Sequence, residues 1–253
     1  MNRLFFFSIA VFIVAIWLGV TIDQTTALFV DSSLSSANTF VVANTFHVPS
    51  FSPSASATPS GIASHIVISE VQISASGSGN STNDFIELYN PTSSAFDLNG
   101  HRLVKRSQNS LSDTTIKSWT STTSIQPYGY YLWGNSINNF GQSIGADATT
   151  SVSLADQNSI ALRYGAENTG VIIDALSWNT ANSTLSEGLY FSPSPGDGDS
   201  MERKAYSVST ASTMNGGTDS LKGNGFDLDD NATDFVLRST SYPQNSSSSP
   251  ETP

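Results

Sequence analysis

The densest set of oxygen ligands in the chain is Asp227-Leu228-Asp229-Asp230-Asn231-Ala232-Thr233-Asp234. A loop with oxygens at every second residue can wrap Ca²⁺, which takes roughly six to eight oxygen ligands. Asp227, Asp229, Asn231 and Asp234 are therefore the candidate calcium ligands. Two positions count against a helix-loop-helix calcium site. Ala232 stands where its loop needs glycine, and Arg238 where it needs a bidentate glutamate. The competing reading is a turn capped by its own Asp and Asn side chains ahead of the last strand. Asp197 and Asp199, beside Gly196 and Gly198, make a second and weaker acidic loop.

Glu70 and Glu87 fall in two β-prone runs and could face each other across neighbouring strands. A carboxylate pair can carry acid–base hydrolysis when its separation suits; the alternative is a pair of strand residues bonded to backbone or to cations. His47, His65 and His101 show no metal-ligand spacing. There is no Gly-x-Ser-x-Gly elbow, phosphate-binding glycine loop or zinc motif. No enzyme activity is expected. Tyr128, Tyr130, Tyr131 and Trp133 concentrate aromatic surface. Strand alternation puts Tyr131 and Trp133 on one face and Tyr130 on the other. One face should be core; the other is core as well, or a platform for a sugar or protein ligand.

The elements that would position these groups are short strands. Phe85-Ile86-Glu87-Leu88-Tyr89 is a β-prone run stopped by Asn90-Pro91, since proline donates no hydrogen bond and restricts its predecessor. Asp97-Leu98-Asn99-Gly100 is a turn signal, after which His101 to Lys105 restarts an extended segment. Together with Ile66-Val67-Ile68-Ser69-Glu70-Val71 upstream, these motifs resemble the lamin-tail domain. The residues carrying the likeness are Glu70, Phe85, Glu87, Leu88, Tyr89, Asn90, Leu98, Gly100 and Leu103. It extends loosely to Ser200-Met201-Glu202-Arg203 and to Asp234-Phe235-Val236-Leu237. The resemblance implies an immunoglobulin-like β-sandwich, a binding or anchoring role and no catalytic motif.

Further β runs occur at 115–119, 130–133, 151–154, 160–164, 171–178, 201–204 and 235–238. No 3.6-residue period is sustained after Val20, so the predicted class is all-β, a two-sheet sandwich preceded by one hydrophobic helix. That helix, Leu4 to Val20 after Arg3, reads as a signal peptide cut after Ala27 or as a membrane anchor. The expected organisation is signal or anchor over 1–27, Ser/Pro-rich linker over 28–62, sandwich over 63–242 and an unstructured polar tail over 243–253. Thr25 to Asp31 with Asn38 to Phe40 also resembles the start of camelysin-like and TasA-like exported proteins. Segments 136–150, 181–199 and 207–226 are long for sandwich loops and are where a binding site would sit.

Composition narrows the partners. A formal charge of −11 argues against phosphate-backbone binding, which needs clustered Lys and Arg, so no nucleic acid is expected. The absence of cysteine removes disulfides and thiolate chemistry. Only 12% of residues are charged, so Ser, Thr and Asn must keep the surface wet, as suits an exported protein. Acceptor-type triplets at Asn80, Asn182, Asn231 and Asn245 matter only in a glycosylating secretory route. The expectation is a non-catalytic binding, adhesion or scaffolding module, secreted or on the extracellular face of the membrane. It would take an unknown protein or glycan ligand, bear no cofactor beyond a possible Ca²⁺, and touch the membrane through its N-terminal segment if uncleaved. The alternatives are an accessory module of a surface hydrolase or nuclease system, and a matrix-forming structural subunit.

Overall fold

β-Branched and aromatic runs separated by Gly, Asn and Pro form strands because such side chains pack on a pleated, half-buried surface. The computed structural model describes residues 61–179, 185–193 and 195–253. Leu4, Val20 and Ala27, the camelysin-like stretch, the linker up to residue 60 and Asn182 lie outside the described residues. The strands are β1 (Val67–Gln72), β2 (Phe85–Tyr89), β3 (Phe96–Asp97), β4 (His101–Ser107), β5 (Thr114–Ser118) and β6 (Ser124–Ile125). They continue as β7 (Tyr130–Asn135), β8 (Ala148–Thr150), β9 (Asn158–Tyr164), β10 (Val171–Ser177), β11 (Ser200–Arg203) and β12 (Phe235–Arg238). Among the described residues, helix is confined to single turns, α1 (Phe140–Ser143), α2 (Ala211–Met214) and α3 (Asn231–Asp234), and a 3₁₀ turn at Ile137–Asn139.

One sheet has six strands in the order β12-β11-β1-β2-β7-β8, and the other four in the order β10-β9-β4-β5; β3 and β6 make a small ribbon. All pairings are antiparallel except β7 with β8. The main core lies between the sheets. Ile68, Ile86, Leu88 and Trp133 from the larger sheet meet Leu103, Ile160, Leu162 and Leu176 from the smaller. Trp133 and Trp178 are fully buried, and each indole N–H finds an acceptor, at Thr150 Oγ1 (3.0 Å) and at the Ala155 carbonyl (3.1 Å). Burying a large apolar side chain is worth roughly 1.5–3 kcal/mol, so this layer supplies the main drive for folding. The expected all-β sandwich is the observed architecture.

The residues that carry the likeness occupy their expected corners. Asn90 is fully buried; its amide donates to the carbonyls of Ser94 (2.8 Å) and Gln126 (3.1 Å) while its oxygen accepts from Thr92 N–H (3.1 Å). Gly100 sits at φ +83°, where an added Cβ would lie 2.9 Å from the Tyr164 ring. Gly134 lets α1 rest on β7, since a Cβ there would stand 2.6 Å from Gly141 Cα.

Two expectations are corrected, and two short strands are added. The strand placed at 151–154 is instead β8, just upstream, because its partner is the parallel edge of β7 and its register starts at Trp133–Ala148. β3 and β6, two residues each, are too short for any periodicity to reveal. Segment 243–253 is not a structureless tail. Its backbone and side chains bond to β2, to Tyr128 and Tyr130, and to the loop before β8. The folded unit is thus wider than 63–242, beginning at least at Ile62, which bridges to Phe226.

Candidate functional site

Pleat alternation turns Glu70, Gln72, Glu87, Tyr89, Tyr130, Glu202 and Arg238 away from the core, onto the outer face of the six-stranded sheet. Glu70 lies opposite Glu87 on β2 and opposite Glu202 on β11, a row of three carboxylates across adjacent strands. This face is not open. After β12 the chain crosses it as a strap: Ser241 Oγ donates to Gln72 (2.7 Å), Tyr242 N–H to Glu70 (3.2 Å) and Gln244 N–H to Glu87 (2.5 Å). Ser246 N–H then reaches Asp147 (3.0 Å) beyond β7. A turn closed by Ser248 N–H on the Asn245 carbonyl brings the chain back, and Glu251 receives the Tyr130 hydroxyl (2.8 Å) while its carbonyl takes that of Tyr89.

Burial governs the electrostatics of this face. Glu70 is pushed above the ordinary carboxylate range by burial, offset in part by the Ser200 hydroxyl and the Tyr242 amide. Glu87 is pushed well above it by burial and then by the charge of Glu70. Glu251 is raised by burial too. A low dielectric disfavours the charged form. The pair is sealed under the strap and has no approach for a substrate.

Beside the strap, the same face opens into a cleft of about 670 Å³, between the strap and the loop 214–224. The Glu202–Arg238 ion pair forms its base, and Asn224 Nδ2 donates to Glu202 at 2.9 Å. Asp219 and Lys222 line the loop side; Asp219 accepts from the Ser209 hydroxyl at 2.9 Å and is held below the ordinary carboxylate range by its hydroxyl partners. Two large side chains at the cleft are left in solvent, Leu221 at 78% and Tyr242 at 73% exposure. A polar floor, free hydroxyls and an exposed aromatic ring can hold an uncatalysed ligand.

The calcium quartet is arranged otherwise than a chelating ring. Asp227 Oδ1 accepts from Arg203 (3.0 Å), and Asp234 Oδ2 accepts the N–H groups of Leu228 (3.0 Å) and Asp230 (3.1 Å). Asn231 turns to the edge of β10, donating to the Ala175 carbonyl (2.8 Å) and accepting from Ser177 N–H (3.0 Å). Asp229 is exposed, at φ +56°, its N–H on Asp227 (3.2 Å). The turn is capped by Asp230, which accepts from Ala232 N–H at 3.1 Å. Among the described residues, the acids whose ligand atoms come together are Asp174 and Asp227, with His65. There a cation is already supplied. Arg203, fully buried, pairs with Asp174 (2.7 Å) and Asp227 (3.0 Å), donates to the Ile68 carbonyl (2.9 Å) and lies 4.6 Å from the Phe235 ring centre. Around it Asp234 rises to about 6 through burial, and Glu187 to about 9 through burial and the charge of Asp174.

The aromatic concentration offers no platform. Tyr131 and Trp133 are in the core, and Tyr130, stacked 4.9 Å from Tyr89, is covered by the strap. His101 lies between the rings of Phe96 and Tyr164. Lys222, Arg238, Leu221 and Tyr242 were not singled out from the sequence as site residues. For Leu221 and Lys222 the one signal is the length of the 207–226 loop; Arg238 and Tyr242 lie beyond it and have none.

The lamin tail domain family matches residues 59–180. No curated protein matches the chain. Among solved structures, a DUF4876 family protein from Bacteroides thetaiotaomicron is similar at 10% identity and a TM-score of 0.50, covering 75% of this chain and 74% of that one. At that identity the likeness concerns the fold alone. The cleft is built from residues 202–251 and lies wholly outside the family match.

Proposed function

Taking the lamin tail domain match over residues 59–180 as premise, we propose that this protein is a non-catalytic binding module whose working surface is the cleft between the strap and the loop 214–224. The family points to an immunoglobulin-like binding or structural module. The observation that carries the finer reading is the cleft itself, polar at its base and rimmed by Leu221 and Tyr242. Exposed large apolar side chains beside a concave polar surface are features of ligand sites. The sealed Glu70–Glu87 pair supports a role without catalysis, since no substrate reaches it.

The proposed location is outside the cell, secreted or on the extracellular face of the membrane. Arg3 followed by Leu4 to Val20, the small residues up to Ala27 and the Ser/Pro-rich spacer support it. Among the described residues no helix is long and apolar enough to cross a membrane. The decisive experiment presents the full chain to arrays of glycans and surface proteins, beside a Ser249→Trp variant that fills the cleft. Binding by the natural chain, lost in the variant at unchanged melting temperature, is the expected result. A ligand held equally by both, or turnover of a phosphoester or glycoside, would overturn the reading.

A further inference from the structure

We propose that the cleft takes an uncharged saccharide, with the Tyr242 ring as the surface on which a sugar ring lies. This rests on the cleft being the binding surface, and adds the chemical class of the ligand. Three observations lead to it.

Charge inside the cleft is already compensated. Arg238 is spent on Glu202, Asp219 faces Lys222 and accepts hydroxyls, and Glu251 accepts from Tyr130 and Gln244. Two cations against three carboxylates leave no excess positive charge for a polyanion, and the chain as a whole carries −11. A phosphate- or carboxylate-bearing polymer would meet repulsion.

Neutral hydrogen-bonding capacity, by contrast, is unspent. The side chains of Thr240, Ser247, Ser249 and Asn215 line the cleft and have no partner among the described residues. Hydroxyl and amide groups that can both donate and accept suit a polyol, whose own hydroxyls do the same. The Lys222 ammonium, within electrostatic reach of Asp219, adds three donors that hydrogen-bond to no acceptor among the described residues.

The apolar part has the shape of a rim, not a pocket. Tyr242 and Leu221 expose their faces beside the hydroxyls, which fits the C–H face of a sugar ring and its hydroxyl edge. A peptide would need an open sheet edge or a buried apolar socket. The base of the cleft offers neither: it is made of side chains from the faces of β11 and β12, already paired with each other. A volume of about 670 Å³ is within the roughly 300–1,000 Å³ of small-ligand sites.

The test titrates the full chain by calorimetry with neutral hexasaccharides (maltohexaose, cellohexaose, xylohexaose, mannohexaose, chitohexaose) and with hexagalacturonate as the acidic probe. At least one neutral probe should bind, with little dependence on salt. Its affinity should fall about five- to tenfold in Tyr242→Ala, as for loss of one aromatic contact, and return in Tyr242→Phe. Binding should vanish in Ser249→Trp. Binding of hexagalacturonate alone, abolished by Lys222→Gln and by salt, would overturn the uncharged class and leave the cleft standing. So would failure of every neutral probe while an array ligand is still lost in Ser249→Trp. Saccharide binding indifferent to Tyr242→Ala and Ser249→Trp would overturn both.

Discussion

Glu70 and Glu87 stand directly opposite each other on β1 and β2, each about 2% exposed, and each receives a backbone amide from the strap. Two like charges opposite each other in a buried ladder are unfavourable. The arrangement is held at the cost of proton affinity: both carboxyls are pushed above 4.5, Glu87 further than Glu70.

The pair therefore makes stability depend on pH. The folded protein holds these protons more tightly than the unfolded chain. The stability they contribute is full below the unfolded value near 4.5 and is lost as pH rises through the folded values. Glu87→Gln, which stays neutral and can still accept the Gln244 amide, should flatten this loss. Urea denaturation should find the variant within about 0.5 kcal/mol of the natural chain at pH 5 and more stable by about 1–2 kcal/mol at pH 9. Parallel pH profiles for the two would count against the pairing.

Truncation after Pro243 removes the half of the strap that covers Tyr89 and Tyr130. The expected loss is about 2–4 kcal/mol, from several hydrogen bonds at about 1 kcal/mol each and two uncovered tyrosines. Acrylamide quenching of tyrosine emission should rise in parallel. An unaltered denaturation midpoint would show that the strap contributes nothing to the fold.

Arg203→Met leaves Asp174, Asp227 and Asp234 without their shared cation. Removing one partner of a buried ion cluster costs about 3–5 kcal/mol. Without the guanidinium the carboxyls of Asp174 and Asp234, already raised by burial, rise further, so the penalty should be largest above pH 7 and shrink below pH 5, as Asp234, already near 6, takes up a proton. Denaturation at pH 5 and pH 8 measures the difference; a penalty that does not vary with pH would speak against the cluster.

Millimolar CaCl₂ should leave the melting temperature unchanged. Asn231 Oδ1 and Asp234 Oδ2 accept backbone amides, Asp227 Oδ1 accepts from Arg203 and the Asp229 amide, and the four ligand candidates do not converge on one point. A ligand that binds only the folded state must raise its stability. A rise that is lost in Asp229→Ala would restore the calcium site at this turn.

Asn231→Ala removes the side chain that closes the β10 edge by bonding both Ala175 and Ser177. A loss of about 2–3 kcal/mol is expected, with slower sedimenting monomer giving way to larger species as the edge opens. Sedimentation velocity checks the second effect independently of the first.

Much of the fold was legible in single runs of residues. Phe85 to Tyr89 forms a strand with the bounds its composition indicates, and the stop at Asn90-Pro91 is a real corner. Met201 to Lys204 reads as a strand and forms one a residue upstream, at Ser200–Arg203, but nothing near it in sequence reveals that Arg203 meets Asp174, 29 residues away. The polar run 243–253 has the composition of solvated chain, yet its Gln244 amide, together with that of Tyr242 just before it, closes over carboxylates on β1 and β2 that lie more than 150 residues earlier.

By itself, then, the sequence determined the local alternation of apolar and polar residues, the turns that break it, and hence an all-β sandwich. Those are effects of neighbouring residues, and neighbours are visible in a string of letters. Which polar side chains share a face, which are sealed and which line the cleft were decided only by tertiary structure. Register and the path of the strap bring distant residues together, and burial then sets whether each carboxyl keeps its charge.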